Sequence, residues 1–119
     1  MKKLILIISS VLTFTSAISL SQVTQEWIKL YQGNTGGYVE ARDFEKDISG
    51  NLLITGYVST GNYADILLLK YNENGQLLFS RQYDTTSEGG WALTTDLYGN
   101  IFVIGDGSGL GTTSIVLKY

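Results

Sequence analysis

The chain has 119 residues with no Cys and no His, and its 11 acidic against 8 basic side chains give a formal charge of −3. This excludes disulfides, thiol nucleophiles, Ser–His pairs and imidazole metal ligands, and it leaves no basic footprint for nucleic acid. The length suits one domain.

Met1-Lys2-Lys3 leads into the apolar run Leu4–Ile8 and a softer stretch from Val11 to Ala17. A basic start, a short apolar region rich in Ser and Thr, and a small-residue exit predict a secretory signal peptide over 1–21. Small residues allow cleavage after Ser19 or after Ser21. The apolar run falls short of the roughly 20 residues that span a bilayer, so no membrane span is expected after cleavage. No Cys follows it, which argues against a lipid anchor. Losing Lys2 and Lys3 takes the 8 basic residues to 6 against 11 acidic, so the charge falls to −5. The expected location is secreted, periplasmic or at the cell surface.

Residues 25–31 alternate, with Trp27 and Tyr31 as the large side chains, and predict a strand; 32–40 is a Gly-rich loop. Ala41–Lys46 predicts another strand, oddly charged, with Arg42, Asp43, Glu45 and Lys46 around a single Phe44. Strands are expected over Leu52–Val58, Ile66–Tyr71 and Gln76–Tyr83, separated by the turns Ser59-Thr60-Gly61-Asn62 and Asn72-Glu73-Asn74-Gly75. The cycle then restarts at Trp91–Thr95, Asn100–Gly105 and Thr112–Tyr119. Beyond the leader no segment carries a helical period. Ile66–Tyr71 is apolar on both faces, which in an antiparallel sheet requires cover on both.

The chain repeats itself. Asp47-Ile48-Ser49-Gly50-Asn51-Leu52-Leu53-Ile54-Thr55-Gly56 returns 49 positions later as Asp96-Leu97-Tyr98-Gly99-Asn100-Ile101-Phe102-Val103-Ile104-Gly105. Asp-x-x-Gly-Asn between apolar runs is turn chemistry: Asp47 and Asp96 accept nearby backbone N–H groups, Gly50 and Gly99 supply positive φ, and Asn51 and Asn100 start the next strand. Ile66–Tyr71 answers to Ser114–Tyr119, and Glu26–Tyr31 to Leu78–Tyr83. A period near 50 marks a stacked-unit architecture such as propeller blades.

Along these residues the sequence resembles the SBBP family of seven-bladed β-propeller repeats in secreted bacterial proteins. Ala41, Asp47, Gly50, Asn51, Thr55, Gly56, Asp65, Lys70, Tyr71, Asn72 and Gly75 match its unit. Phe79 stands where the family has Trp; the second copy departs at Gly90, Ile104 and Thr113. The resemblance implies an all-β fold of antiparallel four-stranded β-propeller blades. It gives an outer strand (25–31), a full blade (41–83) and an incomplete blade (91–119) within a partial propeller over 22–119. About two blades do not close a ring of four to eight. The expectation is therefore part of a longer propeller protein whose remaining blades lie elsewhere, or a short chain that closes by self-association.

Several side chains are candidates for chemistry. Asp47 and Asp96 with Asn51 and Asn100 fall short of the six to eight oxygens a calcium site needs, so they read as structural turns and no metal is expected. Asn72–Gly75 lacks a terminal bidentate Glu and reads as a hairpin turn. Arg42, Asp43 and Glu45 would face a channel or rim if their strand is innermost. Asp43 and Glu45, two apart, share a face and could act as a carboxylate pair. Tyr38, Tyr57 and Trp91 could stack on a sugar ring. A looser likeness of Asn72–Phe79 to quinoprotein blades shows no ligand set, and no cofactor is expected. The reading is a non-catalytic binding or scaffold module for a protein or glycan, with no catalytic residues in this chain. Two alternatives stay open: a fragment of a propeller enzyme, a glycan hydrolase or lyase, or a gene remnant.

Overall fold

The computed structural model describes residues 23–33, 37–59, 61–84, 89–108 and 112–119; the expected leader lies outside them. Among the described residues the chain is all-β and without helix. Four strands, β1 (Val39–Lys46), β2 (Leu52–Ser59), β3 (Ala64–Tyr71) and β4 (Leu77–Tyr83), form one antiparallel sheet in chain order. Three more, β5 (Gly90–Thr95), β6 (Ile101–Ser108) and β7 (Thr112–Lys118), form a second.

The hairpins are built by the repeated turn. Asp47 Oδ1 accepts the amides of Ser49 and Asn51, each at 2.9 Å, and Gly50 N–H donates to the Asp47 carbonyl at 2.9 Å. Gly50 has φ 82°, which completes a three-residue loop of a tight turn followed by a left-handed glycine. Asp96 does the same with Tyr98, Asn100 and Gly99, whose φ is 84°. The β3–β4 turn is the amide version: Asn72 Oδ1 accepts from Asn74 and Gln76, and Gly75 has φ 73°. Asp47 goes further, because its Oδ2 accepts from Asn51 Nδ2 at 2.9 Å and pairs with Lys70 Nζ at 2.7 Å. The pair is well buried, with 6% of the Asp47 side chain exposed.

These turns fix the register, and the register is shared. Leu52 pairs with Tyr71 and Gly56 with Leu67; Gly105 pairs with Ile115 in the same relation, and Ile101 exchanges both backbone hydrogen bonds with Tyr119. Both first strands carry a bulge at the corresponding place, between Ala41 and Asp43 and between Gly90 and Ala92. Opposite each bulge stands the motif's closing glycine. A Cβ on Gly56 would drive into the Glu40 carbonyl, and one on Gly105 would lie 2.8 Å from the Gly89 carbonyl. The motif therefore ends in Gly because the bulged strand leaves no room there for a side chain.

The sheets stack face to face. The front of the first sheet (Leu53, Ile66, Leu68) meets the back of the second (Leu93, Ile101, Val103) in one buried cluster. Gly89, Gly90 and Gly105 let the sheets close on Tyr57, Thr55 and Ile66, each of which occupies the volume a Cβ would need. Leu67, Leu69 and Tyr71 form a second cluster on the back of the first sheet, with Tyr31 against it.

The expected strand over 25–31 is not formed. Residues 23–33 carry no strand pairing and instead lie on the sheet's back through Trp27. Its indole Nε1 donates to the Glu73 carbonyl at 3.0 Å, and its ring stacks on Tyr71 at 6.5 Å. Side-chain packing, not a ladder, holds this segment. It supplies cover for the second face of β3, while the other sheet covers the first.

Two glycines of one motif should differ in how they fail. Gly56→Ala should cost about 3 kcal/mol, because the methyl group strikes backbone at a fixed bulge. Gly50→Ala, with nothing within 4 Å of the new methyl group, should cost only about 1 kcal/mol for the left-handed backbone. Urea melts of both variants decide the ranking.

A second expectation concerns acid. Burial pushes the Asp47 carboxyl upward, but Lys70 and the Asn51 hydrogen bonds outweigh it and hold the pKa at about 2 against an ordinary 3.8. Because the folded value is the lower one, the pair's stabilisation is present above pH 3.8 and is lost as pH falls toward 2. Asp47→Asn, which the Asn72 turn shows can still cap the loop, should be weaker by about 2 kcal/mol at neutral pH. It should converge on the parent near pH 2 in pH-resolved melts.

Candidate functional site

The two bulges place Arg42 and Trp91 against each other. The Arg42 guanidinium carbon stands 3.8 Å from the Trp91 ring centroid and 4.9 Å from that of Tyr57, so the cation contacts two aromatic faces. Such contacts suit a planar, weakly hydrated guanidinium. Arg42 Nε donates to Glu40 Oε1 at 3.2 Å, and the other Glu40 oxygen accepts from the Tyr57 hydroxyl at 3.1 Å and the Tyr38 hydroxyl at 3.5 Å. Arg42 Nη1 is buried without a hydrogen-bond acceptor among the described residues, and the ring faces of Tyr57 and Trp91 lie against that end of the cation. Burial raises the Tyr57 pKa, and the hydrogen bond and charge of Glu40 raise it further, so the phenol stays a donor through neutral pH.

Over this network lies an open cleft of roughly 580 Å³, lined by Tyr38, Arg42, Tyr57, Tyr63 and Trp91 together with Ser59 and Asn62. Tyr38, Tyr63 and Trp91 keep about half or more of their surface in solvent. Rings stay exposed there because one side of the cluster is held by Glu40 and Arg42 while, among the described residues, no strand packs on the other.

The sequence candidates divide. Tyr38, Tyr57, Arg42 and Trp91 come together in the cleft. Asp43 and Glu45 share a face as expected, but that face is not open to a channel: it meets β5. Asp43 Oδ2 accepts the Leu93 amide at 2.8 Å and Oδ1 the Phe44 amide at 2.9 Å, while Thr95 Oγ1 donates to Glu45 at 3.5 Å. Both carboxylates tie the sheets together and are not poised as an acid–base pair. Asp47, Gly50, Asn51, Asp96, Gly99 and Asn100 lie in the turns described above. Among the described residues no three Asp or Glu side chains gather where a metal ion could sit.

Sequence reasoning missed Glu40 and Tyr63. Tyr38, Glu40 and Arg42 alternate, so period two is the signal for Glu40. The bulge then shifts the phase, which places Asp43 and Glu45 on the same side and hides the boundary between cleft and seam. Tyr63 sits in the β2–β3 loop and carries no pattern. Compared with known proteins, this chain matches no family model, no curated protein and no solved structure.

Asp43→Ala should strand the Leu93 amide in a closed seam and cost about 2 kcal/mol. Its effect should appear in melts and leave the cleft's aromatic near-ultraviolet signal in place at low temperature. Equal stability to the parent would remove Asp43 from the seam's account.

Proposed function

We propose that this chain is a secreted, non-catalytic binding module built of propeller-type blades, and that its cleft takes a glycan. The observation that carries the reading is the convergence of Tyr38, Tyr57, Trp91 and Arg42 on one open cleft. A sugar is amphipathic: its C–H face stacks on an aromatic ring while its hydroxyls exchange hydrogen bonds with polar side chains. Exposed Trp91 and Tyr38 offer the first, and Arg42, Ser59 and Asn62 the second. A glycosidase requires two carboxyl groups flanking the bond. Glu40 is bound to Arg42 and two tyrosines, and Asp43 and Glu45 belong to the seam, so the geometry favours binding over hydrolysis. Two face-packed meanders sharing one register support the propeller part of the reading, and the leader-like start supports secretion.

The chain has two tryptophans, so a Trp27→Phe background leaves Trp91 as the reporter. Titration with neutral oligosaccharides should change its fluorescence with a Kd of about 0.1–1 mM, as expected of one shallow site. Tyr38→Ala in that background should weaken binding about tenfold without altering the melt. A panel of cello-, xylo- and chito-oligosaccharides that leaves Trp91 fluorescence unmoved would sink the glycan reading.

A further inference from the structure

Residues 23–33 cover the back of the first sheet without filling the space beneath them. Between the two lies a cavity of about 390 Å³, covered by Trp27, Lys29, Leu30 and Tyr31 and floored by Val39, Ile54, Leu67 and Leu69. The alternation of the covering segment leaves this volume. Trp27 stacks on Tyr71, the Lys29 Cε lies 3.0 Å from where a Cβ on Gly75 would stand, and Tyr31 packs on the back cluster. Ile28 and Leu30, the aliphatic side chains between them, are 71% and 87% exposed. An aliphatic floor is thus bridged by rings and a lysine. Both ends of the segment are anchored, by Trp27 at the β3–β4 turn and by the bare backbone of Gly33 against Val58.

Three polar side chains line this apolar space. The Lys29 ammonium and the hydroxyls of Tyr31 and Tyr71 make no hydrogen bond or ion pair among the described residues. Tyr71 is only 6% exposed, and a polar group held that deep without a partner is costly. Burial and the neighbouring Tyr31 push the Tyr71 phenol upward, so it stays a donor. The acceptors nearby are already taken: Glu40 by Arg42 and Tyr57, and the Leu67 carbonyl by the Thr55 hydroxyl. Donors set around an aliphatic floor suit a ligand with an apolar body and an anionic end. We propose that the cavity binds a free medium-chain fatty acid as its carboxylate, with the alkyl chain on Ile54, Leu67 and Leu69 and the carboxylate at Lys29, Tyr31 and Tyr71. The volume admits one chain of roughly eight to ten carbons and excludes a two-chain lipid. One cation matches one anionic head. The cavity shares no lining residue with the aromatic cleft, so it does not depend on the glycan reading.

Equilibrium dialysis of the purified chain against octanoate tests it. Octanoate should bind one-to-one with a Kd of about 0.1 mM, and 1-octanol, which lacks the charge, about tenfold more weakly. Bound octanoate should raise the melting temperature, as a ligand of the folded state does. Lys29→Gln, at an exposed side chain, should weaken octanoate binding about tenfold, to the level of octanol, and leave octanol binding unchanged. Val39→Phe, which fills the cavity from β1, should abolish binding of both with an unchanged circular dichroism spectrum. Ala41→Leu, also at the cavity wall, replaces it if that variant loses its spectrum. A parent that takes up no octanoate at about 1 mM, a Lys29→Gln variant with the parent's affinity, or a folded filled variant that still binds would each overturn the proposal.

Discussion

A carboxylate that accepts the backbone N–H groups two and four residues ahead of it holds a hairpin in one register. Asp47 and Asp96 both do this, and Asn72 does it with an amide. Since a one-residue slip would send every side chain to the opposite face, these turns decide which residues meet the other sheet. Leu53, Thr55 and Leu68 reach the seam, and Ile54 and Leu69 the back, because Asp47 fixes where β2 begins. Lys70 adds its charge to the same carboxylate from β3, so the turn between β1 and β2 is also tied to the next strand of the sheet.

Register alone would leave two sheets apart. Contact requires that backbone approach side chain, and the second sheet allows it by having no Cβ at positions 89, 90 and 105. The cost of leaving glycine in strands is offset by burial of Ile66, Leu68 and Val103, each worth roughly 1.5–3 kcal/mol. Close approach then brings Asp43 within reach of the Leu93 amide. Polar and apolar parts of the seam are therefore consequences of the same small residues.

The cleft is a by-product of the bulges. Each inserts one residue where the strand would otherwise pass straight along the sheet, and the inserted residues, Arg42 and Trp91, are the two that stack. A bulge re-aims a side chain and shifts the phase of its strand, while pairing resumes on either side of it. Here it lets a chain with a closed, repetitive core keep a group of exposed rings beside a guanidinium.

Much was legible in the residues themselves. The Asp-x-x-Gly-Asn repeat fixed the seven strands to within two or three residues at each end, because turn chemistry is local and side chains two to four positions apart settle it. The double-faced apolar run of β3 announced cover on both sides for the same reason. Residues 25–31 looked like a strand because alternation is local too, but whether a strand pairs depends on a neighbour with free N–H and C=O groups. Trp27 found the Tyr71 ring instead. Asp43 and Glu45, two apart, share one face by period two, yet only packing decides that the face is closed by β5, leaving the cleft to Tyr38, Arg42, Tyr57, Tyr63 and Trp91. Contacts between residues 50 positions apart depend on how two sheets dock, and docking is set by the summed shape of both surfaces, which no single stretch of sequence contains.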